Sequence, residues 1–197
     1  MKQFRLLVAV VGATMLLGAL ATSASAGRLS ISNQRFRATW TRLNFSGGFG
    51  TIECAVTVEG SLHNRTIPKV VGSLVGFITN ATVGTCASGS VTVLAETLPW
   101  HTQYSGFTGT LPNITAVIAK AIGVSFLVRE PTFGITCLAR STAESPAIGT
   151  FNREAGGVAT SITSGGSFPC GSFTGSYSGS TNTFVNESGG RITITLI

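Results

Sequence analysis

The sequence alternates between apolar and polar residues over most of its length, and this pattern restricts the fold more than any other feature. Near the start of the pattern, Phe36, Ala38 and Trp40 are separated by arginine or threonine residues. Successive side chains of a β-strand point to opposite faces, so this alternation predicts strands with one buried face. Similar segments lie at residues 52–58, 90–96, 134–140 and 190–197. No stretch shows sustained helical periodicity.

Glycine clusters separate these segments and supply turns. The pattern predicts an all-β fold, either an antiparallel β-sandwich or a small β-barrel of about ten short strands. Residues 114–129 contain alanines and a lysine that would also suit a helix. Because the even-numbered residues from Ile114 to Val128 are mostly apolar, we predict instead one strand with those residues on one face.

The first 26 residues have the features of a secretory signal peptide. Lys2 and Arg5 precede an apolar run, and small residues follow at positions 24–26. The run is about 15 residues long, whereas a membrane-spanning helix needs roughly 20. We therefore predict cleavage after Ala26 and a single all-β domain over residues 27–197. That domain is expected to be secreted or associated with the cell envelope, and not held in a membrane.

All four cysteines lie in the predicted mature domain, at Cys54, Cys86, Cys137 and Cys170. None forms a CxxC pair, so a zinc ribbon or a thioredoxin-like redox site has no support. An even number of cysteines in an exported chain indicates disulfides, and four cysteines allow three connectivities. The nearly equal gaps within the first and second pairs favour Cys54–Cys86 and Cys137–Cys170.

A weak internal repeat accompanies this spacing. Residues 43–54 read LNFSGGFGTIEC and residues 124–137 read VSFLVREPTFGITC. The similarity suggests two related halves, at about residues 28–112 and 113–197. The alternative is that a β protein reuses Phe-Gly before a cysteine by chance.

The composition excludes several kinds of catalytic and metal site. The chain contains no Asp, which excludes calcium loops built on Asp and a Ser-His-Asp triad. It also lacks a G-x-S-x-G motif and a phosphate-binding glycine loop. Two histidines are a poor set of metal ligands. We predict a non-enzymatic protein with no cofactor and no metal. A secreted hydrolase that uses Glu96 and His101 is the enzymatic alternative.

The segment TLPWHTQYSGFTGTLP, residues 97–112, contains the best binding candidates, Trp100, His101 and Tyr104. On a strand, Trp100 and Tyr104 share one face and His101 lies on the other. Two aromatic rings on one face can form a platform for sugar rings or apolar ligands. The alternative is that Trp100 fills the core while His101 faces solvent.

Arginines are concentrated before the first acidic residue, and the chain has a formal net charge of +6. On a strand, Arg35 and Arg37 project to one face and would offer a strip that binds anionic wall polymers or phosphates. The alternative is a solvated edge strand protected by its charge. No exposed aromatic residues stand between these arginines, so nucleic acid is not predicted as a partner. An envelope polymer or glycan is the partner class that the sequence suggests.

Four further segments form a series: IECAVTVEGSLHNRTIPKVVGSLVG, AETLPWHTQYSGFTGTLPNIT, GITCLARSTAESPA and ITITLI. Together they resemble an uncharacterised family of exported bacterial proteins, chiefly actinobacterial, over nearly all of the predicted mature chain. Where that family tends to read Ser-Phe-His-Ser-Arg, residues 61–65 of this chain read SLHNR. The family has no known activity, so the resemblance implies export, disulfides and β structure only.

The sequence therefore predicts a secreted, disulfide-stabilised β protein with a structural or binding role in the cell envelope. A carbohydrate- or wall-polymer-binding module and the hydrolase are alternatives to this prediction. An outer-membrane barrel is a third alternative, but two Trp and two Tyr are few for aromatic girdles.

Overall fold

A computed structural model describes residues 27–197, and this part of the chain is mostly β-structure. Its fifteen strands are β1 Arg28–Ile31, β2 Arg35–Gly47, β3 Gly50–Leu62, β4 Thr66–Pro68, β5 Leu74–Cys86, β6 Ser90–Val93, β7 Trp100–Thr110, β8 Asn113–Ile122, β9 Ser125–Glu130, β10 Ile135–Arg140, β11 Ala147–Arg153, β12 Ala159–Cys170, β13 Phe173–Thr181, β14 Thr183–Val185 and β15 Ile194–Leu196. The all-β prediction is confirmed. The strands outnumber the prediction because several have only three or four residues, too few to show alternation. The predicted signal peptide, residues 1–26, lies outside the described residues.

Eight strands form an antiparallel sheet that closes on itself. Their pairing order is β2-β3-β5-β7-β8-β11-β12-β13, and β13 pairs in turn with β2. At this closure Phe45 of β2 stands opposite Tyr177 of β13. β14 pairs with the earlier part of β2, where Thr183 opposes Thr39. Of the two predicted architectures, this pairing corresponds to the small β-barrel.

The alternating pattern directs apolar side chains into the barrel. On β3, Ile52, Cys54, Val56 and Val58 are buried, and the residues between them are only half-buried. β-Bulges bend several of the strands, for example β2 between Trp40 and Leu43. Such bends allow a short sheet to curve into a closed ring.

A three-stranded sheet packs over each end of the barrel. β1, flanked by β4 and β15, buries its apolar residues near Phe36, which lies early in β2. β9, flanked by β6 and β10, places Phe126 against Phe45 late in β2, with ring centroids 5.4 Å apart. Phe126 also contacts Trp100, at 5.5 Å. Because the two small sheets meet opposite ends of β2, they cover opposite ends of the barrel.

Both predicted disulfides are confirmed, Cys54–Cys86 and Cys137–Cys170. The first joins β3 to β5, which are neighbours in the barrel and pair at these residues. The second joins β10 of an end sheet to β12 of the barrel. The predicted halves, residues 28–112 and 113–197, each contribute four barrel strands, although their end-sheet strands come in a different order.

Candidate functional site

Trp100 and Tyr104 share one face of β7, as alternation predicts, and that face is the barrel interior. Their side chains are 1% and 4% exposed. The Trp100 indole Nε1–H donates a hydrogen bond of 2.8 Å to Oγ1 of Thr97. The two rings therefore line the inside of the protein rather than a surface platform.

His101 lies on the outer face of the barrel. Its ring stands edge-on to Phe77 at 5.2 Å between centroids, and His63 packs edge-on to the same ring at 4.9 Å. Glu96, the other half of the proposed hydrolytic pair, lies in the 3-10 turn before β7 and is also exposed. Neither Glu96 nor His101 lines the cavities described below.

Arg35 and Arg37 are exposed on β2, and each has an acidic neighbour. Arg35 Nη1 lies 2.7 Å from Oε1 of Glu187, and Arg37 Nη1 lies 3.9 Å from Oε1 of Glu59. These carboxylates offset part of the positive charge on which the predicted anion-binding strip depends. Exposed pairs of this kind contribute little to stability, typically less than about 1 kcal/mol.

The barrel interior contains a cavity of about 110 Å³. Large aromatic residues surround it, namely Phe36, Trp40, Trp100, Phe126, Phe151 and Tyr177. Small side chains on three neighbouring strands leave this space unfilled. They are Ala119 and Ala121 of β8, Ala147 and Gly149 of β11, and Ser164 of β12. These small residues face one another across the strand pairs, so their missing volumes lie side by side.

A second cavity, of about 70 Å³, lies towards the end sheet formed by β1, β4 and β15. Leu29, Ile67 and Ile194 of that sheet line it, together with Tyr104. The two cavities share four lining residues, Phe36, Thr102, Ala119 and Phe151. The two spaces are therefore adjacent inside the barrel.

Three residues that line the larger cavity carry buried polar atoms without a hydrogen-bond partner in the protein. They are Nε1 of Trp40, Oγ1 of Thr102 and the hydroxyl of Tyr177. The ring of Tyr177 lies over Gly166, the residue opposite it on β12, where a side chain would collide with the phenol. Burial raises the pKa of Tyr177, because the apolar surroundings disfavour the phenolate. The phenol therefore remains neutral throughout the physiological pH range.

This raised pKa predicts a loss of stability at alkaline pH. Below the pKa of an unfolded tyrosine, about 10, both states are neutral and the folded state loses nothing. Above that pH the unfolded chain ionises first, so the free energy of unfolding falls by up to about 1.4 kcal/mol per pH unit for Tyr177. Urea unfolding followed between neutral pH and pH 11 should show this slope. The slope should be shallower in Tyr177→Phe, and an unchanged slope in that variant would contradict the assignment.

Sequence reasoning identified Trp100 and Tyr104 but missed most of the cavity. It placed Ile118, Lys120 and Ile122 on the same face as Ile114 and Val128, which are buried, whereas the structure turns Ala119 and Ala121 inward. The reason is that the predicted single strand 114–129 is two strands, with bulges in the β7–β8 pairing and a break at Gly123, whose φ is +89°. The alternating alanines of β8 were the available signal for the cavity, since small residues that face a core leave space.

Residues 27–197 contain no group of three or more His, Cys, Asp or Glu side chains placed to hold a metal ion. Within the same residues, no helix has the length and apolar character required to cross a membrane. Comparison of the chain with known protein families, with curated proteins and with solved structures finds no match.

Proposed function

We propose that this protein is an exported, non-enzymatic binding protein that takes up a small apolar molecule inside its barrel. The observation that carries the proposal is the cavity of about 110 Å³ at the centre of a disulfide-stabilised β fold. Export is supported by the signal-peptide pattern of residues 1–26 and by the two disulfides.

The size and lining of the cavity support binding of an apolar molecule. A cavity of about 150 Å³ lined by aliphatic and aromatic side chains is sufficient to bind benzene. Here the larger cavity holds about 110 Å³ and its neighbour about 70 Å³. One aromatic ring of benzene size would fit if the side chains between the two spaces moved slightly.

An unfilled cavity also costs stability. At about 24 cal/mol per Å³, a space of 110 Å³ lowers the free energy of unfolding by about 2–3 kcal/mol. Larger residues at Ala119 or Ala147 would have removed that cost, yet small residues occupy neighbouring positions on β8 and β11. A ligand that fills the space recovers this free energy, which gives the small residues a functional explanation.

The surface hypotheses are less well supported than binding in the interior. The aromatic rings expected to bind sugars, Trp100 and Tyr104, are buried, and Arg35 and Arg37 each have an acidic neighbour. An envelope polymer or glycan bound at the outer face stays a prediction from the sequence. A polymer is too large for a cavity of this volume, so it would need a different site.

Benzene is the probe that tests the proposal on the purified protein with both disulfides formed. We expect benzene to raise the melting temperature in proportion to the logarithm of its concentration once binding saturates. Ala119→Leu fills the cavity and should abolish this response while maintaining or raising the stability of the free protein. Ala155→Leu is the matched control, because the same substitution falls at an exposed residue between β11 and β12 that lines neither cavity.

Two results would contradict the proposal. One is that benzene leaves the melting temperature of the wild-type protein unchanged. The other is that Ala119→Leu responds to benzene as Ala155→Leu and the wild type do, which would place binding elsewhere. Ala147→Val adds less volume to the same cavity and serves as the second variant if Ala119→Leu overpacks and fails to fold.

A further inference from the structure

We propose that one end of the barrel docks on an anionic lipid surface, with Val70 and Val71 inserted among the lipids. This end, called the β1 end below, is the one that β1, β4 and β15 cover. The proposal goes beyond binding inside the barrel and does not depend on it. Docking of this kind is peripheral, so it requires no segment that spans the membrane. The sequence alone predicts no membrane partner for the mature domain.

Val70 and Val71 form the tip of a tight turn between β4 and β5. The Ser73 N–H donates a hydrogen bond of 3.0 Å to the carbonyl of Val70, and Gly72 has a φ of +82°. A positive φ at the third of four turn residues is typical of a type II turn, which favours glycine there. Val70 is 61% exposed and Val71 is 68% exposed. Turns favour small and polar residues, so two adjacent exposed valines indicate a contact outside the chain.

Backbone hydrogen bonds fasten this turn to the barrel. The Gly72 N–H donates to the carbonyl of Tyr104 at 2.8 Å, and the Tyr104 N–H donates to the carbonyl of Ser73 at 3.0 Å. Tyr104 is a buried residue of β7. The turn is therefore held in one position, and a preorganised tip loses little conformational entropy when it inserts.

A second apolar tip lies at the same end of the barrel. β5 and β7 are antiparallel, so β7 ends where β5 begins. The turn after β7 carries Leu111, which is 50% exposed. Lys69 lies between the two turns, because its Nζ is 5.5 Å from the ring centroid of Phe107 in β7. The β1 end thus presents two apolar tips with a cation between them.

The β1 end also carries the positive charge of the domain. Among the described residues, two acidic side chains, Glu154 and Glu187, lie at this end with six basic ones, Arg28, Arg35, Arg65, Lys69, Arg153 and Arg191. This excess of four equals the excess over all of residues 27–197, which contain eleven basic and seven acidic residues once Lys2 and Arg5 are left out. The opposite end, covered by β6, β9 and β10, has two arginines and three glutamates, namely Arg129, Arg140, Glu96, Glu130 and Glu144.

Three of these basic residues, Arg28, Arg65 and Lys69, lie near the valine turn and form no salt bridge within residues 27–197. Lys69 directly precedes Val70, and Arg28 is opposite Pro68 on the neighbouring strand. Inserted apolar side chains flanked by cations are the combination that holds peripheral proteins on anionic lipid. A second copy of this chain would bring its own cations against these, so an anionic lipid surface fits the charge better than self-association does.

Cosedimentation with lipid vesicles tests the proposal on the mature protein with both disulfides formed. Vesicles of phosphatidylglycerol and phosphatidylcholine in equal parts are compared with vesicles of phosphatidylcholine alone. We expect the anionic vesicles to bind the protein at least about tenfold more tightly, because several basic residues contribute to the attraction. Binding should weaken as NaCl is added, since salt screens exposed charges.

Variants locate the contact. Val70→Ser/Val71→Ser should weaken binding to the anionic vesicles by about tenfold or more, because two apolar side chains no longer insert. Phe133→Ser is the matched control, since it removes a side chain that is 72% exposed in the turn between β9 and β10, at the opposite end. Arg65→Gln should weaken binding by about fivefold. Arg129→Gln, at an exposed arginine of β9, is its control and should bind as the wild type does.

Three results would overturn the proposal, and none of them bears on the benzene test of the cavity. One is that the anionic vesicles do not bind the protein at low salt. Another is that Val70→Ser/Val71→Ser binds as tightly as Phe133→Ser, which would mean that the net charge alone attracts the protein. The third is a dimer in sedimentation that the serine variant dissociates, without vesicle binding, because a second copy would then cover the valines. Val71→Ser alone serves if the double variant fails to fold.

Discussion

Replacement of Trp100 by alanine is expected to lower the free energy of unfolding by about 3–5 kcal/mol, the range for loss of a large aromatic side chain from a core. Trp100 is 1% exposed, contacts Phe126 of an end sheet and lies beside a cavity that already exists. Its removal would enlarge that cavity instead of being compensated by collapse. Since domains of this size are stable by only about 5–15 kcal/mol, urea unfolding should show a large shift of the midpoint.

Two further variants serve as controls for Trp100→Ala. Trp100→Phe keeps a ring against Phe126 but loses the hydrogen bond to Thr97, so a smaller loss of about 1–2 kcal/mol is expected. His101→Ala, at the next residue, removes an exposed side chain from the outer face and should change stability by about 0.5 kcal/mol or less. If His101→Ala destabilised the protein as much as Trp100→Ala, the assignment of interior and exterior faces on β7 would be wrong.

Removal of either disulfide is expected to cost about 3–4 kcal/mol, because each closes a loop of similar length and the chain-entropy model depends on that length. The structure predicts that loss of one disulfide and loss of the other will destabilise different parts of the protein. Cys54 and Cys86 lie on strands that also pair with each other through the backbone. Cys137 and Cys170 instead link an end sheet to the barrel.

Hydrogen exchange distinguishes the two cases. In Cys137→Ala/Cys170→Ala, we expect amides of β9 and β10 to exchange faster than in the wild type, while the barrel strands keep their relative protection. In Cys54→Ala/Cys86→Ala, the end sheet should show no such selective loss. Equal protection patterns in the two double variants would mean that the second disulfide does not fasten the end sheet.

The sequence was sufficient to predict the β class and the disulfide pairing. Alternation is a local property, so β3 and the shared face of Trp100 and Tyr104 could be read from spacing, whereas the burial of that face could not. The nearly equal cysteine gaps then distinguished one connectivity from three. Both signals depend only on residues that are near one another in the chain.

The closure of the barrel and the position of the cavity could not be predicted in the same way. Pairing of Phe45 with Tyr177 joins distant strands, and no local pattern records it. The face of β8 depends on bulges in its pairing with β7, and a shift of one residue reverses which side chains point inward. Trp40 was assigned correctly to an apolar face, but its lack of a hydrogen-bond partner depends on the whole interior.

The closed ring also bears on the order in which the chain can fold. The pairing of Phe45 with Tyr177, and of Leu29 with Leu196, requires strands from opposite ends of the described chain. Contacts at such separations carry a large loop-closure cost and are typical of slow folding. If the protein is exported as proposed, one edge of β1 and one edge of β2 must stay unpaired outside the membrane until β15 and β13 emerge. During that interval the unfinished barrel would be most vulnerable to extracellular proteases and most dependent on protection by a chaperone.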